Sequence, residues 1–325
     1  MGFKGVEIFE NDFLVHDLKA KEIKKIVYDY GLEISLFQPF RDFEGMPEPY
    51  RSRAFDRAKK KFDIMNELGA KTILICSNTS NLAVGGIDRA ADDFNELGEI
   101  AKVRDIFIGY EALAWGKYIS DHRDAWEIVR RANHKHVGII LDSFHTLSKG
   151  INLDTITSIP KEKIFFVQIA DAPKYNMDLL FWSRHFRNMP GQGDLKVSEF
   201  MKKLNDTGYD SWISLEIFND QFRKDNRDLI TKDGYRSLIN LSKQNEIVER
   251  AEIEKIEFIE FSVKKEDLNI IQKLLKSLGF IKAGLHKTKN IILYILGNVK
   301  FIINSEIVSD PNLEDFNPYA FGLMV

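Results

Sequence analysis

The chain has 325 residues, 44% of them hydrophobic and 29% charged, with 46 basic against 49 acidic side chains and a net charge of −3. That balance excludes a disordered or fibrous chain, offers no basic tract for phosphate neutralisation, and at this length predicts one large domain plus a small one. A single cysteine, Cys76, excludes a disulfide framework and a thiolate metal cluster, and the chain has neither a membrane-length apolar run nor a signal peptide at Met1, so a cytoplasmic protein without nucleic-acid or membrane partners is expected.

Short apolar runs rich in β-branched and aromatic residues predict strands at Phe3–Phe9, Leu32–Phe37, Thr72–Cys76, Ile106–Ala112, Val137–Asp142, Ile164–Ala170 and Trp212–Ile217. Amphipathic stretches between them predict helices at Ala20–Tyr30, Arg51–Leu68, Asp88–Val103, His122–Arg131 and Val197–Asp206, several closed by a glycine such as Gly31, Gly69 or Gly208. Alternating strand and helix means a parallel sheet. No strand runs into a glycine-rich phosphate loop. Instead, polar residues recur at strand C-termini: Glu10, Gln38, Ser77, Glu111, Asp142, Gln168 with Asp171, and Glu216. A ring of that kind is how a (β/α)8 TIM barrel builds its site, so a barrel is expected over residues 1–243. Seven strands are one short of eight, and Met1–Glu7 reads like a helix end entering a second strand, so the first βα unit is expected to be missing.

Residues 244–254 are polar and predict a linker. In 255–325, strand patterns at Ile256–Val263, Phe280–Leu285, Ile291–Leu296 and Lys300–Ile303, with a helix at Lys265–Leu278, predict a separate α+β βαβββ module. Asp310–Asn317 reads as a loop, and the apolar run at Pro318–Val325 reads as a cut-off beginning.

Glu111, Asp142, Gln168 and Glu216 would converge at one barrel mouth. Three carboxylates and an amide oxygen form an all-oxygen set suited to a hard divalent cation, Mg²⁺, Mn²⁺ or Co²⁺; without one, the carboxylates would repel. His145, three residues past Asp142, can reach the space before the ion and has the intrinsic pKa of a general base. His16 is a weaker candidate, while His122, His134, His136 and His286 read as structural. Cys76 reads as core. Arg41, Arg184 and Arg187 are candidate clamps for a carboxylated substrate, the last two in a long aromatic loop that reads as a lid.

The phrases Gly5-Val6-Glu7-Ile8-Phe9-Glu10-Asn11-Asp12, Gln38-Pro39-Phe40-Arg41-Asp42, Tyr110-Glu111-Ala112-Leu113-Ala114-Trp115-Gly116, Leu141-Asp142-Ser143-Phe144-His145, Gln168-Ile169-Ala170-Asp171-Ala172-Pro173, Pro190-Gly191-Gln192-Gly193 and Ser214-Leu215-Glu216-Ile217-Phe218-Asn219-Asp220 resemble those of bacterial 3-dehydroshikimate dehydratases, sugar-phosphate isomerase/epimerase-type barrels. The resemblance implies metal ligation by Glu111, Asp142, Gln168 and Glu216, catalysis by His145, and substrate binding by Arg41, Ser183 and Arg187. It also implies the reaction: metal-dependent conversion of 3-dehydroshikimate to protocatechuate, with His145 removing the α-proton and the β-hydroxyl leaving with proton assistance. Residues 254–325 resemble the first part of a 4-hydroxyphenylpyruvate dioxygenase-like, vicinal-oxygen-chelate domain whose iron set is not visible, so no activity is expected there. The competing readings are a ketose 3-epimerase or isomerase on the same barrel, disfavoured by the arginines and the His145 phrase, and a barrel fragment without turnover. The sequence leaves a homo-oligomer open.

Overall fold

The computed structural model describes residues 2–243, 255–306 and 316–324. The seven apolar segments of the first part become strands β1 (Gly5–Phe9), β2 (Glu33–Phe40), β3 (Thr72–Cys76), β4 (Phe107–Glu111), β5 (Val137–Asp142), β6 (Ile164–Ile169) and β7 (Ile213–Leu215), all parallel and paired in chain order. The main crossover helices are Ala20–Asp29, Tyr50–Leu68, Ile87–Val103, His122–Ala132 and Val197–Asp206, and Arg227–Lys243 follows β7. The chain divides into two compact units, Met1–Ile247 and Val248–Val325. The expected 244–254 linker lies outside the described residues.

Strand periodicity separates two layers. Ile73 and Ile75, Ile108 and Tyr110, Ile139 and Leu141, and Val167 and Ile169 face the helices and join the main core with Phe62, Phe94 and Phe200. Their neighbours Leu74, Cys76, Ile140 and Phe166 form a second, smaller cluster on the inner face with Leu36 and Leu113. By the same alternation Glu111, Asp142 and Gln168 face inward at the ends of their strands. The inner face is tight: a Cβ on Gly109 would lie 2.4 Å from Ile140 Cγ1.

Among the described residues β1 and β7 do not pair with each other, and between them runs a groove of about 850 Å³ lined by Val6, Ser35, Trp212, Leu215 and Tyr235. It runs along the facing strand edges and the helix Arg227–Lys243, and reaches Met189 and Ile217. No helix of the described residues is long and apolar enough to cross a membrane.

The second unit forms a sheet in the order β12-β8-β11-β10-β9 from β8 (Lys255–Val263), β9 (Ile281–Leu285), β10 (Ile291–Leu296), β11 (Val299–Asn304) and β12 (Phe316–Met324), with the helix Leu268–Ser277 against it. Strands β9, β10 and β11 are antiparallel to their neighbours among themselves, and β11 pairs parallel with β8. One expectation changes here: the segment read as a loop end and a cut-off run is a full strand, β12, antiparallel to β8. A proline at 318 and a glycine at 322 mask its strand pattern, and an edge strand tolerates both. The loop expected before it, 310–315, lies outside the described residues.

His122, read as structural, opens its helix as a buried ring with Nε2 2.7 Å from Thr155 Oγ1. Burial pushes its pKa down from 6.5 to about 4, so as pH falls through that interval the unfolded chain takes up a proton that the folded ring refuses. Stability is therefore lost between pH 6.5 and 4. His122→Gln should remove about 3 kcal/mol of that loss, read as the difference between urea-unfolding free energies of parent and variant across the interval.

Candidate active site

The strand register assembles the site. Glu111 ends β4 and pairs with Ile140, two residues before Asp142 at the end of β5; Asp142 pairs with Gln168, one residue before the end of β6, and Glu216 follows Leu215, the partner of Ile169. Glu111, Asp142 and Gln168 are almost wholly buried, at 3%, 2% and 0% exposure, and Glu216 is half-buried.

Asp142 both ends a strand and starts a helix. Its Oδ1 accepts the Phe144 N–H at 2.7 Å, capping the short helix Ser143–Ser148 that carries His145. His145 Nε2 lies 3.6 Å from Asp142 Oδ2 and 3.8 Å from Glu111 Oε1. Glu111, Asp142 and His145 each offer a ligand atom within 4.8 Å of the others. On the far side of the ring, the Ala114 N–H donates to Nδ1 at 3.2 Å, so the neutral imidazole carries its hydrogen on Nε2. Burial, followed by the Arg187 charge, holds the His145 pKa well below its ordinary value, and the ring is neutral at physiological pH. Burial likewise raises the Glu111 pKa well above the usual carboxylate range, with the Asp142 and Glu216 charges adding to the shift.

One guanidinium threads this cluster. Arg187 Nη1 donates to Asp142 Oδ2 and Glu216 Oε2, both at 2.8 Å, while Nε and Nη2 donate to Ser183 Oγ at 3.2 and 2.8 Å. It is sandwiched by the Phe144 and Phe218 rings, 4.7 and 5.3 Å from their centroids. Arg41, Arg184, Trp115, Cys76 and Ser183 line the same cavity as Glu111, His145, Arg187 and Glu216. Its enclosed volume is about 20 Å³, so a ring-sized ligand requires half-buried lining side chains, which include Arg41, Trp115 and Arg184, to move. The structure thus brings all eight candidate residues to one rim, with Gln168 held against Asp142 by the ladder. His16 is exposed and does not line this cavity.

The expected lid has its own structure. Ser183 and Arg184 sit on a helix, Leu179–His185, capped by Asp178, which accepts the Phe181 N–H at 2.9 Å. The turn that follows is fixed by Asp171: its Oδ1 accepts the Ala172 and Leu195 N–H groups and its Oδ2 those of Gly191 and Gly193, at 2.8–3.0 Å. A Cβ on Gly193 would fall 2.4 Å from Asp171 Oδ1. Gly193 thus lets backbone approach a carboxylate, whereas Gly191, at φ +83°, supplies the left-handed conformation of the turn.

Sequence reasoning missed Glu7. It stands inside β1, and its Oε2 accepts the Gln168 and Gln38 side-chain N–H groups at 2.7 Å each. Burial and the Glu216 charge push its pKa up to about 8. A signal was available: a carboxylate in mid-strand, in Gly5-Val6-Glu7-Ile8-Phe9, requires partners on the inner face.

A parallel β/α sheet with buried carboxylates, an imidazole and a guanidinium at its C-terminal rim defines a TIM-barrel-type site. Residues 1–241 match the xylose isomerase-like TIM barrel family, and the chain belongs to it; residues 249–317 match the N-terminal hydroxyphenylpyruvate dioxygenase family. The chain is 42% identical to a 3-dehydroshikimate dehydratase of Pseudomonas putida and 44% identical to one of Pseudomonas aeruginosa, over 99% of this chain and 52% of each relative. It spans about half the length of the curated relatives it matches. A solved xylose isomerase-like TIM barrel/4-hydroxyphenylpyruvate dioxygenase fusion protein is similar at 42% identity and a TM-score of 0.79, covering 94% of this chain and 52% of that one.

The Arg187 contacts carry a stability consequence. Removing the cation leaves buried carboxylates without their partner, which costs about 3–5 kcal/mol where such pairs have been broken. Arg187→Met should lower the urea-unfolding free energy by that order when measured in the presence of chelator; a change below 1 kcal/mol would contradict the pairing.

Proposed function

We propose that the barrel unit catalyses dehydration of 3-dehydroshikimate to protocatechuate with a bound divalent cation. The convergence of Glu111, Asp142 and His145 at the sheet's rim carries this reading, and the two Pseudomonas relatives, named 3-dehydroshikimate dehydratases, supply the substrate.

The residues fit a metal. Glu111 Oε1 and Gln168 Oε1 are buried oxygens without a hydrogen-bond partner, which is costly unless something electropositive faces them. Glu111, Asp142, Gln168 and Glu216 would hold the ion, and their oxygen-rich chemistry favours Mg²⁺, Mn²⁺ or Co²⁺. When bound, the ion polarises the substrate ketone and so acidifies the neighbouring C–H.

The side chains divide the remaining work. Arg41 and Arg187, with Ser183 holding Arg187 in place, face the substrate carboxylate and orient the ring. His145 takes the α-proton: the C–H bond breaks, a carbon–carbon double bond forms, and the β-hydroxyl departs with a proton as water. Tautomerisation of the resulting dienone yields the catechol. To act as base at Nε2 the ring must shift its hydrogen to Nδ1, giving up the Ala114 hydrogen bond at a cost of about 1–3 kcal/mol. Burial supplies the other requirement, a ring uncharged at neutral pH.

With Mg²⁺, Mn²⁺ or Co²⁺ the purified chain should convert 3-dehydroshikimate to protocatechuate, read as new ultraviolet absorbance that chelator abolishes; absence of turnover with all three would end this reading. His145→Ala should lower kcat about 10²-fold or more while the metal content per chain is unchanged. Arg41→Ala should raise KM about tenfold or more with a smaller effect on kcat; a loss confined to kcat would remove Arg41 from substrate binding.

A further inference from the structure

A carboxamide is an ambiguous metal ligand. Its oxygen offers a lone pair, whereas its –NH₂ group presents hydrogens that a cation repels, and the two ends are nearly the same size. A glutamine recruited as an oxygen donor therefore needs another group to fix which way it faces. Gln168 has one: its Nε2 donates to Glu7 Oε2 at 2.7 Å, and this leaves Oε1 buried and without a partner. The same Glu7 oxygen accepts from Gln38 Nε2 at 2.7 Å, and that nitrogen also donates to Glu216 Oε1 at 3.0 Å. The other carboxyl oxygen, Glu7 Oε1, is buried without a hydrogen-bond partner, so Glu7 acts on these neighbours through Oε2. The contacts thus run from the residue after β7, through β2 and β1, to the end of β6.

We propose that Glu7 is a positioning residue: as a fixed hydrogen-bond acceptor it turns the Gln168 carboxamide so that the oxygen faces the cation site, and through Gln38 it restrains Glu216. The inference rests on the metal reading above and adds a residue outside the ligand set. Outer partners of this kind typically change metal affinity 10–100-fold when removed. The acceptor atom, rather than the negative charge, is what the geometry uses. A glutamine at position 7 retains a carbonyl oxygen to accept both N–H groups; a methionine fills similar volume and accepts neither.

The test is Co²⁺ affinity of the full chain, measured by competition with a chromophoric chelator and followed through the visible Co²⁺ bands, with no substrate present. Glu7→Met should weaken Co²⁺ binding about 10–100-fold and alter the band shape, and Glu7→Gln should stay within about threefold of the parent. In a Gln168→Ala background, Glu7→Met should cost no more than the fraction of its effect that passes through Gln38 and Glu216, since there is no carboxamide left to turn. Equal losses in both backgrounds, or a Glu7→Met affinity within threefold of the parent, would overturn the proposal. Should Glu7→Met fail to fold by circular dichroism, Glu7→Asp, which withdraws the acceptor by one methylene, should show the weakening instead; undiminished affinity there is equally fatal. A parent chain that binds no Co²⁺ would instead remove the metal reading, and with it this inference.

Discussion

The site depends on an unusual concentration of negative charge. Glu111, Asp142 and Glu216 meet at one rim of a parallel sheet, with Arg187 among them and Glu7 one layer below. In an apolar surround their repulsion is scarcely screened, and such a cluster persists only if the fold holds each group in place and a positive charge lies within reach. The apolar inner layer of Leu74, Ile140 and Phe166 supplies the low-dielectric floor, and the parallel ladder sets Glu111 two residues below Asp142 and Asp142 level with Gln168. The aromatic faces of Phe144 and Phe218 keep the guanidinium flat between its carboxylates. Packing, register and electrostatics are therefore aspects of one arrangement.

Much of this was legible before any coordinates, for physical reasons that differ between regions. The strands of the first unit could be read because a parallel strand buried on both faces leaves a continuous apolar run, and such runs end where a polar residue faces the rim. Glu111, Asp142 and Gln168 stood out as those endings. Arg187 could be singled out only through family phrases, because nothing in the spacing of Trp182-Ser183-Arg184-His185-Phe186-Arg187 distinguishes it from Arg184. Its pairing with Asp142 and Glu216 depends on contacts across 45 and 29 residues of chain, which no local pattern encodes. Glu7 lies inside a strand rather than at its end, so the pattern of polar strand ends does not mark it; its signal is a carboxylate within an apolar run. The tautomer of His145 depends on a backbone N–H from another loop and has no sequence signature.

The second unit shows the converse. Strand β8 is legible from its alternation and β9, β10 and β11 as short apolar segments, yet β12 is not, since Pro318 and Gly322 interrupt the residues from Phe316 to Met324. An edge strand draws its order from its single neighbour, here β8, and can afford residues that a central strand cannot.

The four N–H groups gathered by Asp171 have a consequence for how this site can diversify. They fix the spacing of Ala172, Gly191, Gly193 and Leu195 around one carboxylate, so adding or deleting a residue between them would strand a buried negative charge. Segments joining strands to helices ordinarily vary freely in length, and barrels of this type acquire new substrates largely through that freedom. Here that route is closed on one side of the mouth, and a change of substrate must come by replacing side chains, such as those at positions 41, 115 and 184, on a perimeter of constant length.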